Sequence, residues 1–572
     1  MPSIFEANLL ALSVNNQRLY SRISGAGMES KHYAFLTSRD GEIVPAFNLP
    51  SGNTQPLHSL VDPKREAQRL ASTVTDDTGF VICLGLGGGF IPEAVLNSTA
   101  ARVLVIDYRI NGIAELFSSK DYTTLLKNER FFFLADPSED EIKAAVLEQY
   151  IPVLCGGIKT IPLRSRTEQD LPLFENAAAI IQEAIKTAAA DYSVQAHFGK
   201  RWFSNIIRNL KTAEDAAESF TARIGKFPVQ ETAIVAAGPS LDQQIPSLEK
   251  LKKSGTFIIS SDTALPALLQ YGIEPDAVVS IDCQHISYYH FLGCNLNSGS
   301  SGSIPLILDI ASPPLLSSLS PSPFFFSSGH PLALYISQHW RPLPRLDTSG
   351  GNVTYACLSL AENMGAKRVT LFGADFSYVR SRTYARGTYI YPFFERKQNR
   401  LFPLEAQFSA FLYRSAFLPP EKSGKTQNYY ETSTLRFYRE KLEEKAAAMS
   451  TQIFAAQGQG APVNLTRKTS HNARSAALSN ESVLFPAEKA SMSHVAFLEQ
   501  YLRDIAALPA ADGNADYMRK LNAKDRQVFT TLLPLAAAVK HRAAQLKPAD
   551  LLEETKRVCA REIEKVLESD KF

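Results

Sequence analysis

A chain of 572 residues is too long for one hydrophobic core, and at about 100 to 200 residues per domain it predicts roughly three domains. With 45% apolar and 21% charged residues it has ordinary globular usage, which excludes a wholly disordered or fibrous protein. Its 60 basic and 58 acidic residues leave a net charge of +2, so there is no general attraction to nucleic acid or to an anionic membrane, and neither is expected as a partner.

The six cysteines (Cys83, Cys155, Cys283, Cys294, Cys357 and Cys559) form no Cys-x-x-Cys pair and have no histidine at zinc-ligand spacing. They read as reduced thiols. The opening "MPSIFEANLLALSVNNQRLY" lacks the basic segment and cleavage site of a signal peptide, and no stretch approaches the roughly 20 apolar residues of a membrane span. A cytoplasmic location is expected.

Residues 1–165 predict a small Rossmann-like α/β domain. Phe80 to Leu84 is a buried strand, Gly85, Gly87, Gly88 and Gly89 make a turn into a helix, and "RVLVIDY" is a second strand ending at Asp107, at the separation of a ribose-binding acid. Phe90 stands at the third glycine of Gly-x-Gly-x-x-Gly, whereas Gly85, Gly87 and Gly89 satisfy the Gly-x-Gly-x-Gly of methyltransferases. Two readings stay open: a nucleotide site, or a degenerate Rossmann-like domain that binds nothing.

Residues 166–225 predict an Ala-rich helical connector. Its aromatic and basic cluster (Phe198, Lys200, Arg201, Trp202, Phe203, Arg208) reads either as core plus solvated face or as a contact to an anion.

Residues 226–470 carry most of the signal. The apolar runs "TAIVAA", "TFIIS", "AVVSI", "IPLILDI", "PFFFSS" and "RVTLFGA", alternating with helical or irregular segments, predict a doubly wound parallel sheet. Nearly every run ends in polar groups: Ser240, Ser261-Asp262, Asp282, Asp309, Ser328-Gly329-His330 and Asp375. A parallel sheet puts all these ends on one edge, where such folds bind ligands. A Tyr- and Arg-rich stretch with Arg380, Arg382 and Arg386 then reads as a lid or a solvated loop, 434–457 as a charged helix, and 468–482 as a polar linker. Residues 483–572 predict a helical C-terminal domain of bundle type.

At Gly238-Pro239-Ser240-Leu241-Asp242 the glycine permits close backbone approach, the proline fixes the turn, and Ser240 or Asp242 can cap the next helix. The same junction could instead hold an anion through its backbone N–H groups. A second glycine-bearing junction, Ser349-Gly350-Gly351-Asn352, and the strand end Gly373-Ala374-Asp375 would share its sheet edge and complete a two-part nucleotide cradle. No Gly-Lys-Ser/Thr follows these glycines, which excludes a P-loop.

The segments "AGPSLD", "ISSDTALPALLQYGIEPDAVVSID", "SGGNV", "LFGADFSY" and "TYARGT", with the earlier "LHSLVDPKREAQRL" and "CLGLGGGF", resemble the motility-associated factor glycosyltransferases. The core of that family is related to an archaeal hydroxymethylpterin diphosphokinase and is similar to the CMP-sialic acid sialyltransferases. The resemblance spans roughly Leu57 to Thr388. It implies transfer of a nonulosonic acid, pseudaminic or legionaminic, from a CMP-activated donor to Ser or Thr of flagellin, without a required cofactor. By position, Gly238, Pro239, Ser240 and Leu241 would approach the CMP phosphate and sugar, and Ser261, Asp262 and Thr263 would line the reaction site. Ser349, Gly350, Gly351 and Asn352 would hold cytidine, while Gly373, Asp375, Tyr378 and Tyr384 would border the sugar. This chain has Ala237 and Ser261-Asp262 where the sialyltransferases carry asparagines. Their histidine base has no clear counterpart.

Such a transfer needs a general base, support for the departing phosphate and exclusion of water. Asp262, Asp282 and Asp375 are the candidate bases, with His330 and His285 behind them, and the lid arginines could pair with the donor's carboxylate and phosphate. Two alternatives stand beside this reading. One is Mg-dependent pyrophosphoryl transfer with the three aspartates as oxygen ligands; the other is a flagellin-binding chaperone without catalysis.

Overall fold

The computed structural model describes residues 3–26, 31–214, 220, 229–297, 303–321, 323–418, 429–465, 489–511 and 517–569. The linker expected at 468–482 lies outside them. The chain divides into two compact units, Met1–Gly199 with Ala506–Phe529 and Leu533–Val558, and Lys200–Ile505 with Thr530–Leu532 and Cys559–Phe572.

In the first unit a Ser3/Glu6 capping box starts the helix Ile4–Asn15, and a second helix, Gln17–Ser24, leads to a three-stranded antiparallel sheet of Tyr33–Thr37, Ile43–Asn48 and Thr54–Pro56. The expected Rossmann-like half follows. Its four parallel strands lie in the order Phe131–Ala135, Arg102–Asp107, Thr78–Leu84 and Gly157–Pro162. Phe80 to Leu84 and Val103 to Ile106 are buried, as uninterrupted apolar strands must be when helices cover both faces.

The connector is one helix, Leu171–Glu214. Phe174, Ala177, Ile181, Ala184 and Ala188 recur every three or four residues and pack on this sheet, so the Ala-rich stripe is core. At Gly199 the backbone crosses the helix Ala523–Arg542 so closely that a Cβ would overlap the Pro534 carbonyl.

The second unit is built on seven parallel strands in the order Phe324–Phe326, Leu306–Asp309, Ala277–Ser280, Phe257–Ser261, Glu231–Val235, Arg368–Phe372 and Gln452–Ala455. The chain steps outward from Glu231–Val235 in one direction and later returns to its other side, so the topological switch point falls between Glu231–Val235 and Arg368–Phe372, where open α/β sheets form a crevice. The helix Val353–Asn363, buried from Thr354 to Ala361, covers one face. The helices Leu241–Lys253 and Leu265–Gln270 cover the other.

The last elements, His494–Ala507, Tyr517–Lys520, Ala523–Arg542 and Pro548–Ser569, are all helical. No helix among the described residues is long and apolar enough to cross a membrane.

Candidate nucleotide-sugar site

The Gly238-Pro239-Ser240 turn and Gly373-Ala374-Asp375 meet at the switch point. The Gly238 N–H donates to the Gly373 carbonyl at 2.8 Å, and a Cβ on Gly238 would lie 2.4 Å from that oxygen and 2.5 Å from Asp375 Oδ2. Gly373, at φ +59°, would bring a Cβ within 2.2 Å of the Ala236 carbonyl. Both positions therefore require glycine.

Ser240 is not the cap that its sequence position predicts. Its backbone is helical and its hydroxyl accepts from Gln459 N–H at 2.8 Å, while its own N–H donates to Asp375 Oδ2 at 2.8 Å. Asp375 also accepts from the Ser240 hydroxyl and from Gly460 N–H, and burial holds its carboxyl above the usual range. The anion at this helix N-terminus is thus the protein's own carboxylate. Asp375 positions the turn and the overlying glycine segment 457–461, instead of standing free as a base. Asp242 is no cap either: it accepts from the Arg382 guanidinium at 2.6 Å and from Arg386 N–H at 2.9 Å, tying the Arg-rich stretch to the core.

One strand over, Ser261 caps a 3-10 turn through Ala264 N–H, and Asp262 is fully buried. The Asp262 carboxylate accepts from Ser280 Oγ at 2.7 Å and from Thr263 N–H at 2.7 Å, and its Oδ2 lies 3.3 Å from His290 Nδ1. Burial pushes Asp262 up, but the charge and hydrogen bond of His290, with the donors from Ser280 and Thr263, leave it below the usual range. Burial likewise pulls His290 down, and the Asp262 carboxylate more than reverses this. Both contacts of the ring, with Asp262 and with Thr263 Oγ1 at 3.4 Å, are made through Nδ1; among the described residues Nε2 has no hydrogen-bond partner, and the side chain is 12% exposed. Its ring rests 4.6 Å from that of Tyr389. Asp282 accepts from Gln284 N–H at 2.9 Å and is held up by burial and by its neighbour Asp262.

In the second junction, Asn352 caps the helix Val353–Asn363 by accepting from Tyr355 N–H, and its amide donates to the Gly350 carbonyl. Gly350 lies on the Tyr355 ring, and Gly351 faces Tyr438. Ser349 is within 3.3 Å of the Tyr355 hydroxyl, which donates to Asp347.

Two expected members of the crevice are closed off. Asn205 donates to the Cys283 and Ala311 carbonyls, and Asn209 to those of Ile310 and Ser312, so the connector helix roofs these strand ends. Under that roof Asp309 accepts from Ala311 N–H, with burial lifting its carboxyl to about 6. His330 Nδ1 accepts from Leu332 N–H, its ring packs against Trp202, and burial lowers it to about 4. Both serve the fold. His285 lies exposed on the 3-10 segment that carries His290.

In the first unit the glycine turn is occupied by the chain itself. His58 accepts from Gly88 N–H at 3.0 Å, the Tyr122 hydroxyl donates to the Gly87 carbonyl, and Lys120 donates to the Gly88 carbonyl. Asp107, expected at a ribose, is wholly buried, accepts from Leu86 N–H and pairs with the equally buried Arg166 at 2.9 Å. The turn and its expected ribose acid are thus engaged by the chain's own side chains, as the degenerate reading expects.

Sequence reasoning missed His290, Tyr438 and the covering segment 457–461. "QHISYYHF" has no helical or strand period, and only the abundance of aromatic residues after the third strand marked it.

Residues 204–381 match the family model described as 6-hydroxymethylpterin diphosphokinase MptE-like, which takes in the switch point, the Asp262–His290 pair and the second junction. The structure of a MAf glycosyltransferase from Magnetospirillum magneticum AMB-1 superposes with a TM-score of 0.58, covering 99% of this chain and 95% of that one at 16% identity. Residues 204–381 are thus similar to the MptE-like model, and the chain as a whole shares its fold with that glycosyltransferase structure. Two uncharacterized proteins of Treponema pallidum (strain Nichols) are also similar. One is 32% identical over 173 residues, 30% of this chain and 80% of its own length. The other is 38% identical over 122 residues, 21% of this chain, and the match spans 42% of that relative's length. The MptE-like match ends before Tyr384 and Tyr389, so the aromatic wall beside His290 lies beyond the matched core.

Proposed function

We propose that the chain is a glycosyltransferase that moves a nonulosonic acid of the pseudaminic or legionaminic type from a CMP-activated donor to Ser or Thr hydroxyls of flagellin. The observation that carries this reading is the Asp262–His290 pair: a buried carboxylate fixing, through Nδ1, a partly exposed imidazole whose second nitrogen has no hydrogen-bond partner among the described residues, one strand from the switch point of a parallel sheet. The whole-length likeness to a Maf glycosyltransferase supports the same reading through the fold.

In the reaction the acceptor hydroxyl gives its proton to His290 Nε2 as its oxygen bonds to the anomeric carbon. The bond from that carbon to the phosphate oxygen breaks, and CMP leaves with the electron pair. A phosphate monoester is a good leaving group, so the demand on the protein is orientation, a base and exclusion of water. Asp262 holds the imidazole in one orientation and stabilises the imidazolium that forms. Ser349 to Asn352, with Tyr438 above Gly351, is the junction assigned to cytidine. Cytoplasmic action on flagellin before export belongs to this proposal.

The name of the matched family favours a second reading, Mg-dependent pyrophosphoryl transfer. Against it, Asp262 is paired with His290 and Asp375 is bound to Ser240 and Gly460, and no group of three or more ligating side chains among the described residues is placed to hold a metal. Thermal stabilisation separates the two: CMP or CDP without metal is expected to raise Tm, whereas stabilisation by ATP with Mg2+ alone would favour the kinase.

A further inference from the structure

The stretch after Asp375 places a second set of groups around His290. The Tyr389 ring lies against the His290 ring, and the Tyr384 ring is 6.2 Å from Tyr389. Tyr378 pairs through its backbone with Tyr430 and packs on Phe417. Arg414, at the end of the segment that includes the helix Leu404–Leu412, stacks on Phe411 at 3.7 Å. Phe411 in turn rests on Phe394 at 6.1 Å, in the small aromatic core that also takes in Tyr384 and Tyr389.

Among the described residues Arg414 makes no ion pair and no hydrogen bond, and the hydroxyls of Tyr378, Tyr384 and Tyr389 make no hydrogen bond. Each of these tyrosines is raised by burial and pulled back by the charge of Arg414, so the guanidinium sits near all three. Burial also keeps the hydroxyls protonated, and therefore able to donate. Arg382, one of the three arginines (Arg380, Arg382 and Arg386) that the sequence offered for pairing with an anion, is paired with Asp242 at 2.6 Å. A guanidinium held by an aromatic face, with neutral hydroxyl donors beside it and no acid paired with it among the described residues, is a receptor for anionic oxygen.

We propose that Arg414, with Tyr384 and Tyr389, recognises the carboxylate of the transferred sugar and thereby makes the enzyme specific for acidic sugars. The inference rests on the transferase reading above and adds the residue that selects the substrate. A carboxylate fits better than the donor phosphate because this cluster flanks the base, so the group it holds must belong to the sugar that bears the reacting carbon. These residues lie outside the matched 204–381 core, as expected of a specificity element added to a shared scaffold.

The test measures Kd for CMP and for CMP-N-acetylneuraminic acid, a CMP-linked carboxylate sugar, on full-length wild type, Arg414→Ala, Arg414→Lys and Tyr389→Phe. Arg414 is exposed, so its removal spares the fold. The expected result is unchanged CMP binding in Arg414→Ala, with CMP-sugar binding weakened by about 10- to 100-fold, partial rescue by Arg414→Lys, and a KM effect larger than the kcat effect in turnover. Equal affinity of wild type and Arg414→Ala for the CMP-sugar would overturn the inference alone. An equal loss of CMP binding would overturn it in favour of a phosphate contact. Failure of the wild type to bind either ligand would overturn the transferase reading and the inference with it.

Discussion

His290 Nδ1 lies 3.3 Å from Asp262 Oδ2, and the carboxylate is fully buried while the imidazole keeps 12% of its side-chain surface exposed. The pair is stabilised as carboxylate and imidazolium, with Asp262 depressed and His290 raised. A raised imidazole contributes stability in full below its ordinary value of about 6.5, and loses it as pH rises through the folded value. A depressed carboxyl contributes above about 3.9, and loses it as pH falls through its folded value. The stabilisation is therefore greatest between about pH 4 and 6.5. Asp262→Asn is expected to remove that maximum from a plot of Tm against pH.

Catalysis has the opposite demand, because only neutral imidazole accepts a proton. Activity should rise with pH through the raised His290 value, and Asp262→Asn should move this limb to lower pH while lowering kcat. His290→Ala should lower kcat by about 10²- to 10⁴-fold. A rate profile of the asparagine variant that keeps the wild-type limb would exclude His290 as the base.

The switch-point turn depends on Asp375. Its replacement by Ala removes charge-assisted bonds to Ser240 and Gly460 and is expected to cost about 1.5–3 kcal/mol for each bond not replaced by water. Gly238→Ala and Gly373→Ala meet backbone oxygen at 2.4 and 2.2 Å, so both should lower Tm despite adding one methyl group. Wild-type Tm in either glycine variant would contradict the described turn.

The Rossmann-like half of the first unit is stabilised by its own charges. Arg166→Met leaves Asp107 buried without its partner and is expected to cost about 3–5 kcal/mol, whereas Arg166→Met with Asp107→Leu should recover much of the loss. Chemical denaturation of both variants measures this. The turn should also bind neither a dinucleotide nor a methyl donor, which calorimetry tests.

Much of the second unit was legible in the sequence because parallel strands buried on both faces are uninterrupted apolar runs, and the runs from "TAIVAA" to "RVTLFGA" all became strands of one sheet. The polar strand ends were legible too, but not their fates. Asp309 and His330 look like Asp262 in sequence, and only the tertiary roof of Asn205 and Asn209 separates them. Ser240 has the sequence of a capping serine, yet its hydroxyl is taken by Gln459, which lies 219 residues away. The antiparallel sheet of residues 33–56 was missed because its strands are short and only partly apolar. His290 was missed because a 3-10 segment carries no period to read.

The most direct measurement is the intact mass of flagellin co-expressed with a nonulosonic acid pathway and either the wild-type chain or His290→Ala. The account predicts added mass in steps of one nonulosonic acid residue with the wild type, and unmodified flagellin with the variant at equal protein level. Unmodified flagellin with the wild type, or equal modification by His290→Ala, would contradict it.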